Sequence, residues 1–136
     1  MAGVLLKNLT RSRTPRLPFR AVVADVLPRW DISLVFVGEK RARDLNMSLR
    51  KKKYVPNVLS YEVSEKSASR RTGEIIICLS ETKKQAPDFL LPAPAFCLFL
   101  FIHALLHIKG LAHGATMEKC ERDLLARYVT AHSDRH

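Results

Sequence analysis

The chain has 136 residues, 47% apolar and 26% charged, a composition that suits one domain with one core and excludes collagen-like repeats, coiled coils and general disorder. Lys and Arg number 23 against 13 Asp and Glu, a formal charge of +10. That excess attracts polyanions and makes nucleic acid the leading partner class, ahead of a basic surface that serves only solubility.

Val4 to Leu9 reads as a short strand, and Pro15 to Leu27 as a helix with Leu17, Val22, Val23 and Leu27 on its apolar side. No acid precedes Asp25, whereas Lys7, Arg11, Arg13, Arg16 and Arg20 are basic, a composition shared with organellar transit peptides; the strand and helix are the competing reading. Asp31 to Val37, rich in β-branched and aromatic residues, predicts a buried strand. Glu39 to Arg50 lacks Gly and Pro and sets Ala42, Leu45 and Leu49 at helical spacing. Asn57 to Val63 reads as a strand, Glu65 to Thr72 as an exposed polar loop, and Gly73 to Leu79 as a buried strand. Thr82 to Ala86 has room for one or two helical turns.

Phe89 to Ile108 carries no charge apart from two histidines and approaches the length of a membrane span. Pro92 and Pro94 interrupt it, leaving Ala95 to Ile108 as a buried core helix, and no membrane is predicted. Glu118 to Val129 reads as a final amphipathic helix with Leu124, Leu125 and Tyr128 facing the core. Without repeats, these alternating short elements predict an α+β fold. Cys78, Cys97 and Cys120 are odd in number and form no CxxC pair, which points to free thiols, a reducing compartment and a cytoplasmic location.

The chemistry concentrates in HALLHIKGLAH from His103, an HxxxHxxGxxH pattern. A separation of four residues puts His103 and His107 on one helix face, one turn apart. Gly110 tolerates the left-handed backbone that ends a helix, so the chain can return His113 to the same ion. Three imidazoles and an open position are the arrangement of catalytic zinc, and one ion per chain is expected. His132 and His136 sit in a polar tail and read as frayed residues.

Metzincin-type proteases share this spacing but place Glu after the first His as general base; here the residue is Ala104, which argues against peptide hydrolysis. The stretch also resembles the YbeY endoribonuclease family of rRNA maturation factors, whose pattern looks like HGxLHLxGYDH. Upstream, Leu45-Asn46 with Arg50 is similar to that family's LNxxxR helix, Asn57-Val58-Leu59-Ser60-Tyr61 to its DVLSF strand, and Gly73 to Ile77 to its GDIxI strand. The chain departs from the family at Asn57, Ala104 and Ala112, where the family has Asp, Gly and Asp.

The resemblance implies a zincin-like YbeY fold over residues 1–136, with a small mixed sheet, helices packed on it and a central metal-binding helix. It implies a zinc-dependent endoribonuclease that acts on single-stranded RNA in rRNA maturation and ribosome quality control, with ribosomal RNA and the ribosome or its small subunit as partners. His103, His107 and His113 are the expected zinc ligands, and Arg50 and His107 the expected catalytic residues. Arg50 would offset charge on the reacting phosphate. Arg41, Arg43, Arg50, Lys51, Lys52 and Lys53 are the expected RNA-binding residues, drawn from the densest basic run. Tyr54 is a candidate for stacking on a base or capping the core, and Asn46 and Ser60 for hydrogen bonds to substrate or for structural ones. Glu118 and Glu121 are candidates to replace the acid missing at Ala112, with a helix-surface role favoured for both. The rival reading is a non-catalytic, ribosome-associated RNA-binding factor with a structural or vestigial metal site.

Overall fold

A computed structural model describes residues 3–64 and 69–133, the side chains of 130–133 excepted. Four strands, β1 (Gly3–Asn8), β2 (Trp30–Val37), β3 (Val58–Glu62) and β4 (Arg71–Cys78), form one mixed sheet in the order β1-β2-β4-β3. β1, β2 and β4 run parallel, and β3 pairs antiparallel with β4, Ser60 opposite Ile75. Among the described residues five helices accompany them: α1 (Phe19–Val26), α2 (Glu39–Arg50), α3 (Leu79–Gln85), α4 (Ala93–Lys109) and α5 (Ala115–Ser133). The α+β class and the small mixed sheet are therefore as predicted.

Side chains alternate across the sheet, so the run Ile75-Ile76-Ile77-Cys78 serves both faces. Ile75 and Ile77 join Ile32, Leu34 and Phe36 beneath α1, α4 and α5, while Ile76 and Cys78 join Ala42 and Leu45 of α2 on the other side. α4 is the buried centrepiece: Phe96, Leu98, Phe101, Ile102 and Leu105 have no exposed surface, and Phe101 meets Phe19 of α1 edge-on at 4.9 Å. Gly73 lets the end of α4 approach β4 closely, because a Cβ there would stand 3.1 Å from Ile108 and 3.2 Å from Ile32.

Several predicted bounds shift for identifiable reasons. Pro15 to Pro18 stand outside α1, which starts at Phe19, since Pro18 supplies no backbone N–H and favours the flank of a helix over its interior. Arg71 and Thr72 belong to β4 and pair with Trp30 and Asp31, so the predicted polar loop ends earlier; its residues 65–68 lie outside the described residues. α3 begins at Leu79 and continues into a 3₁₀ turn, Ala86–Phe89, a longer helical segment than predicted. α4 accommodates Pro94 in its first turn, where no N–H is needed. Leu49 on α2 is 48% exposed, and the inward position belongs instead to Asn46, which is fully buried. Among the described residues no single helix is long and apolar enough to cross a membrane.

Candidate metal centre

α4 carries His103 and His107 one turn apart near its C-terminal end, with their Nε2 atoms 3.0 Å apart. Gly110 ends the helix at φ 110°, and its N–H bonds the His107 carbonyl while Leu111 N–H bonds that of Leu106. This reversal closes the helix end and leads the chain back over it. His113 thereby comes to 4.6 Å from His107 and 5.3 Å from His103, measured between ring centres. One ligand atom from each of the three lies within 4.8 Å of the others, close enough to hold a metal ion.

The protonation pattern suits that purpose. His103 Nδ1 meets the Glu121 carboxylate of α5 at 2.5 Å, which places the ring proton on Nδ1 and leaves Nε2 as a lone pair facing the other imidazoles. Burial lowers the His107 pKa, and the neighbouring imidazoles His103 and His113 lower it further, which favours the neutral, ligating form of that ring. Glu121 is buried at the contact between α4 and α5, so the surface role expected for it is wrong. Glu118 is exposed and lines the cavity. Ala112 is exposed, and the acid that reaches the triad comes from another helix.

The triad opens into a cavity of about 880 Å³ walled by β3, the end of α2 and α5. Arg50 lines it together with the histidines and with Asn57, Ser60 and Tyr61 of the β3 segment. Arg50 Nη1 donates to the Tyr54 hydroxyl at 3.2 Å, and Tyr54 is 54% exposed and so caps no core. Burial pushes the Tyr61 phenol up to about 12, with Glu74 adding to the shift, which leaves Tyr61 a hydrogen-bond donor and no base near neutrality. Asn57 Nδ2 donates to Gln85 Oε1 at 2.9 Å, tying the cavity floor to α3.

Asn46 stays away from this cavity: it is buried, and its Nδ2 donates to the Tyr54 carbonyl at 2.9 Å, a structural bond that holds the turn after α2. Arg41, Arg43, Lys51, Lys52 and Lys53 are exposed on α2 and the segment after it, outside the cavity lining. The side chain of His132 and the whole of His136 lie outside the described residues. Sequence reasoning missed Phe89 and Phe99 as cavity residues and held Glu121 only as a candidate, with a surface role favoured. For Glu121 a signal existed: it shares helical spacing with buried Met117 and Leu124, a carboxylate on an apolar stripe.

A family profile described as Endoribonuclease YbeY matches residues 14–129. The chain is 30% identical over 125 residues to the Endoribonuclease YbeY of Aromatoleum aromaticum, covering 92% of this chain and 80% of that protein. It is 28% identical over 113 residues to the Endoribonuclease YbeY of Campylobacter jejuni, covering 81% and 84%. The solution structure of TM1509 from Thermotoga maritima shares the fold, with a TM-score of 0.70 at 15% identity over 97% of this chain and 93% of that one. A profile match spanning most of the residues, the similarity to curated relatives and the shared fold agree: this chain belongs to the Endoribonuclease YbeY family.

Proposed function

We propose that the protein is a zinc-dependent endoribonuclease that hydrolyses phosphodiesters of single-stranded RNA in ribosomal RNA maturation and ribosome quality control. The observation that carries this reading is the convergence of three imidazoles and one guanidinium on a single cavity. The names of the family relatives support the reaction class. The triad's three nitrogen donors suit zinc, with His103, His107 and His113 as the ligands and no fourth cysteine or carboxylate in the cluster among the described residues. When bound there, zinc supplies a Lewis acid for a phosphoryl oxygen and a water more acidic than bulk water.

The chain's own residues do the rest. Glu121 fixes the His103 ring and its tautomer. Arg50 places two N–H donors against the phosphate and offsets the charge that grows on it. Arg41, Arg43, Lys51, Lys52 and Lys53 attract the backbone without reading sequence. Ala104 is buried in the core, so no residue at that position serves as the base a peptidase needs. Free Cys78, Cys97 and Cys120 support a reducing compartment such as the cytoplasm, where the ribosome or its small subunit is the partner of this reading.

The test is metal analysis paired with a ribonuclease assay. About one equivalent of zinc is expected per chain, with cleavage of single-stranded RNA abolished by a chelator and by His107→Ala. RNA binding without cleavage by the zinc-loaded protein would overturn the enzyme and favour the non-catalytic RNA-binding factor.

A further inference from the structure

Beside the triad lies an aromatic group that the metal chemistry leaves unused. Phe96 is fully buried, and Phe89 stacks on it with centroids 4.5 Å apart and planes 25° from parallel. Phe99 lies 6.1 Å from Phe96, and its ring faces His103 at 6.2 Å with 25° between planes. Phe89 and Phe99 line the triad's cavity and also the smaller hollow of about 330 Å³ that adjoins it, together with Glu118, Glu121 and Arg122.

A soluble fold has reason to bury such rings, yet Phe89 is 51% exposed and the next residue, Leu90, is 91% exposed. Leu90 also holds a left-handed backbone at φ 57°, an unfavourable conformation for a residue with a side chain, and it closes the 3₁₀ turn that presents Phe89. With one ring face covered by Phe96, the exposure of Phe89 falls on the remainder of the ring. A purely apolar ligand would satisfy the rings and waste Arg50 and the imidazoles of the same cavity. A nucleotide matches both, because it joins an anionic phosphate to a flat π face.

We propose that Phe89 and Phe99 form a stacking shelf for one unpaired base of the nucleotide next to the phosphate that is cut. The proposal rests on the ribonuclease reading and adds to it a reason for single-strand preference: a paired, stacked base cannot lie on the shelf. Every base has a π face, so the shelf selects unpaired strands with little regard to sequence.

The test uses the full chain without added metal, so that no turnover confuses binding, and measures anisotropy of a labelled single-stranded oligoribonucleotide. Phe89→Ala and Phe89→Leu should each weaken binding about tenfold, the loss typical of one base–aromatic stack, while Phe89→Tyr keeps it. A strand of the same length made abasic throughout should bind the parent and Phe89→Ala alike. Unchanged affinity in Phe89→Leu, a variant that keeps apolar bulk, would overturn the shelf and leave this lip to a protein partner. Cleavage by the zinc-loaded parent, assayed alongside, separates the two claims: its absence sinks the ribonuclease reading, whereas cleavage with unaltered Phe89→Leu binding sinks the shelf alone.

Discussion

Removing the carboxylate of Glu121 should weaken zinc binding without dismantling the triad. The Glu121 side chain is 9% exposed and that of His103 22%, and they meet at 2.5 Å. Water therefore replaces the contact poorly, and loss of such a partner costs about 10–100-fold in metal affinity, or roughly 1.4–2.7 kcal/mol. Burial argues for the upper end in Glu121→Ala. In Glu121→Gln an amide oxygen can still accept the Nδ1 proton, so the lower end is expected. Competition titration against a chromophoric zinc chelator reads both constants, with circular dichroism to establish that α4 and α5 persist. Unaltered affinity in the folded Ala variant would refute the assignment of Glu121 as the residue that positions His103.

Three other outcomes follow from the same geometry. Arg50→Ala should lower kcat roughly 100-fold, the scale for losing a donor to developing negative charge, while zinc affinity by the same titration stays put; equal loss of both would remove Arg50 from the reaction. Gly110→Ala should destabilise the protein by at least about 1 kcal/mol in urea unfolding, since φ is 110° there, and should also weaken zinc binding by misplacing His113. Ala112→Asp adds a carboxylate beside His113 at an exposed position, so it should tighten zinc binding while unfolding shifts by no more than about 0.5 kcal/mol.

Helix α2 was legible to the residue because its signals are local: Gly38 before it, continuous helix formers, and a basic end. The triad was legible for the same reason, since three histidines within 11 residues encode their own geometry through one helix and one glycine. Glu121 was legible only as a candidate with a surface role favoured, because it comes 18 residues after His103 and meets it only once α5 packs on α4. The proposed aromatic shelf depends likewise on the 3₁₀ turn and α4, so nothing local in the sequence set Phe89 apart. For Asn46 the sequence left a substrate contact and a structural bond open, and the structural one holds, because the turn before β3 needed a buried amide donor.

Because α4 is held by Phe19, Phe101, Leu105 and the sheet rather than by its histidines, the helix owes its place to the core. On the zinc reading proposed above, the fold would therefore not depend on its ion in the way a small zinc finger does. On that reading, chelation would empty the site and leave the fold intact. Ion occupancy would then be set by free zinc in the surroundings, and it would add thermal stability only with the logarithm of how far that concentration exceeds the dissociation constant. Activity would follow the supply of metal while the amount of folded protein stays constant.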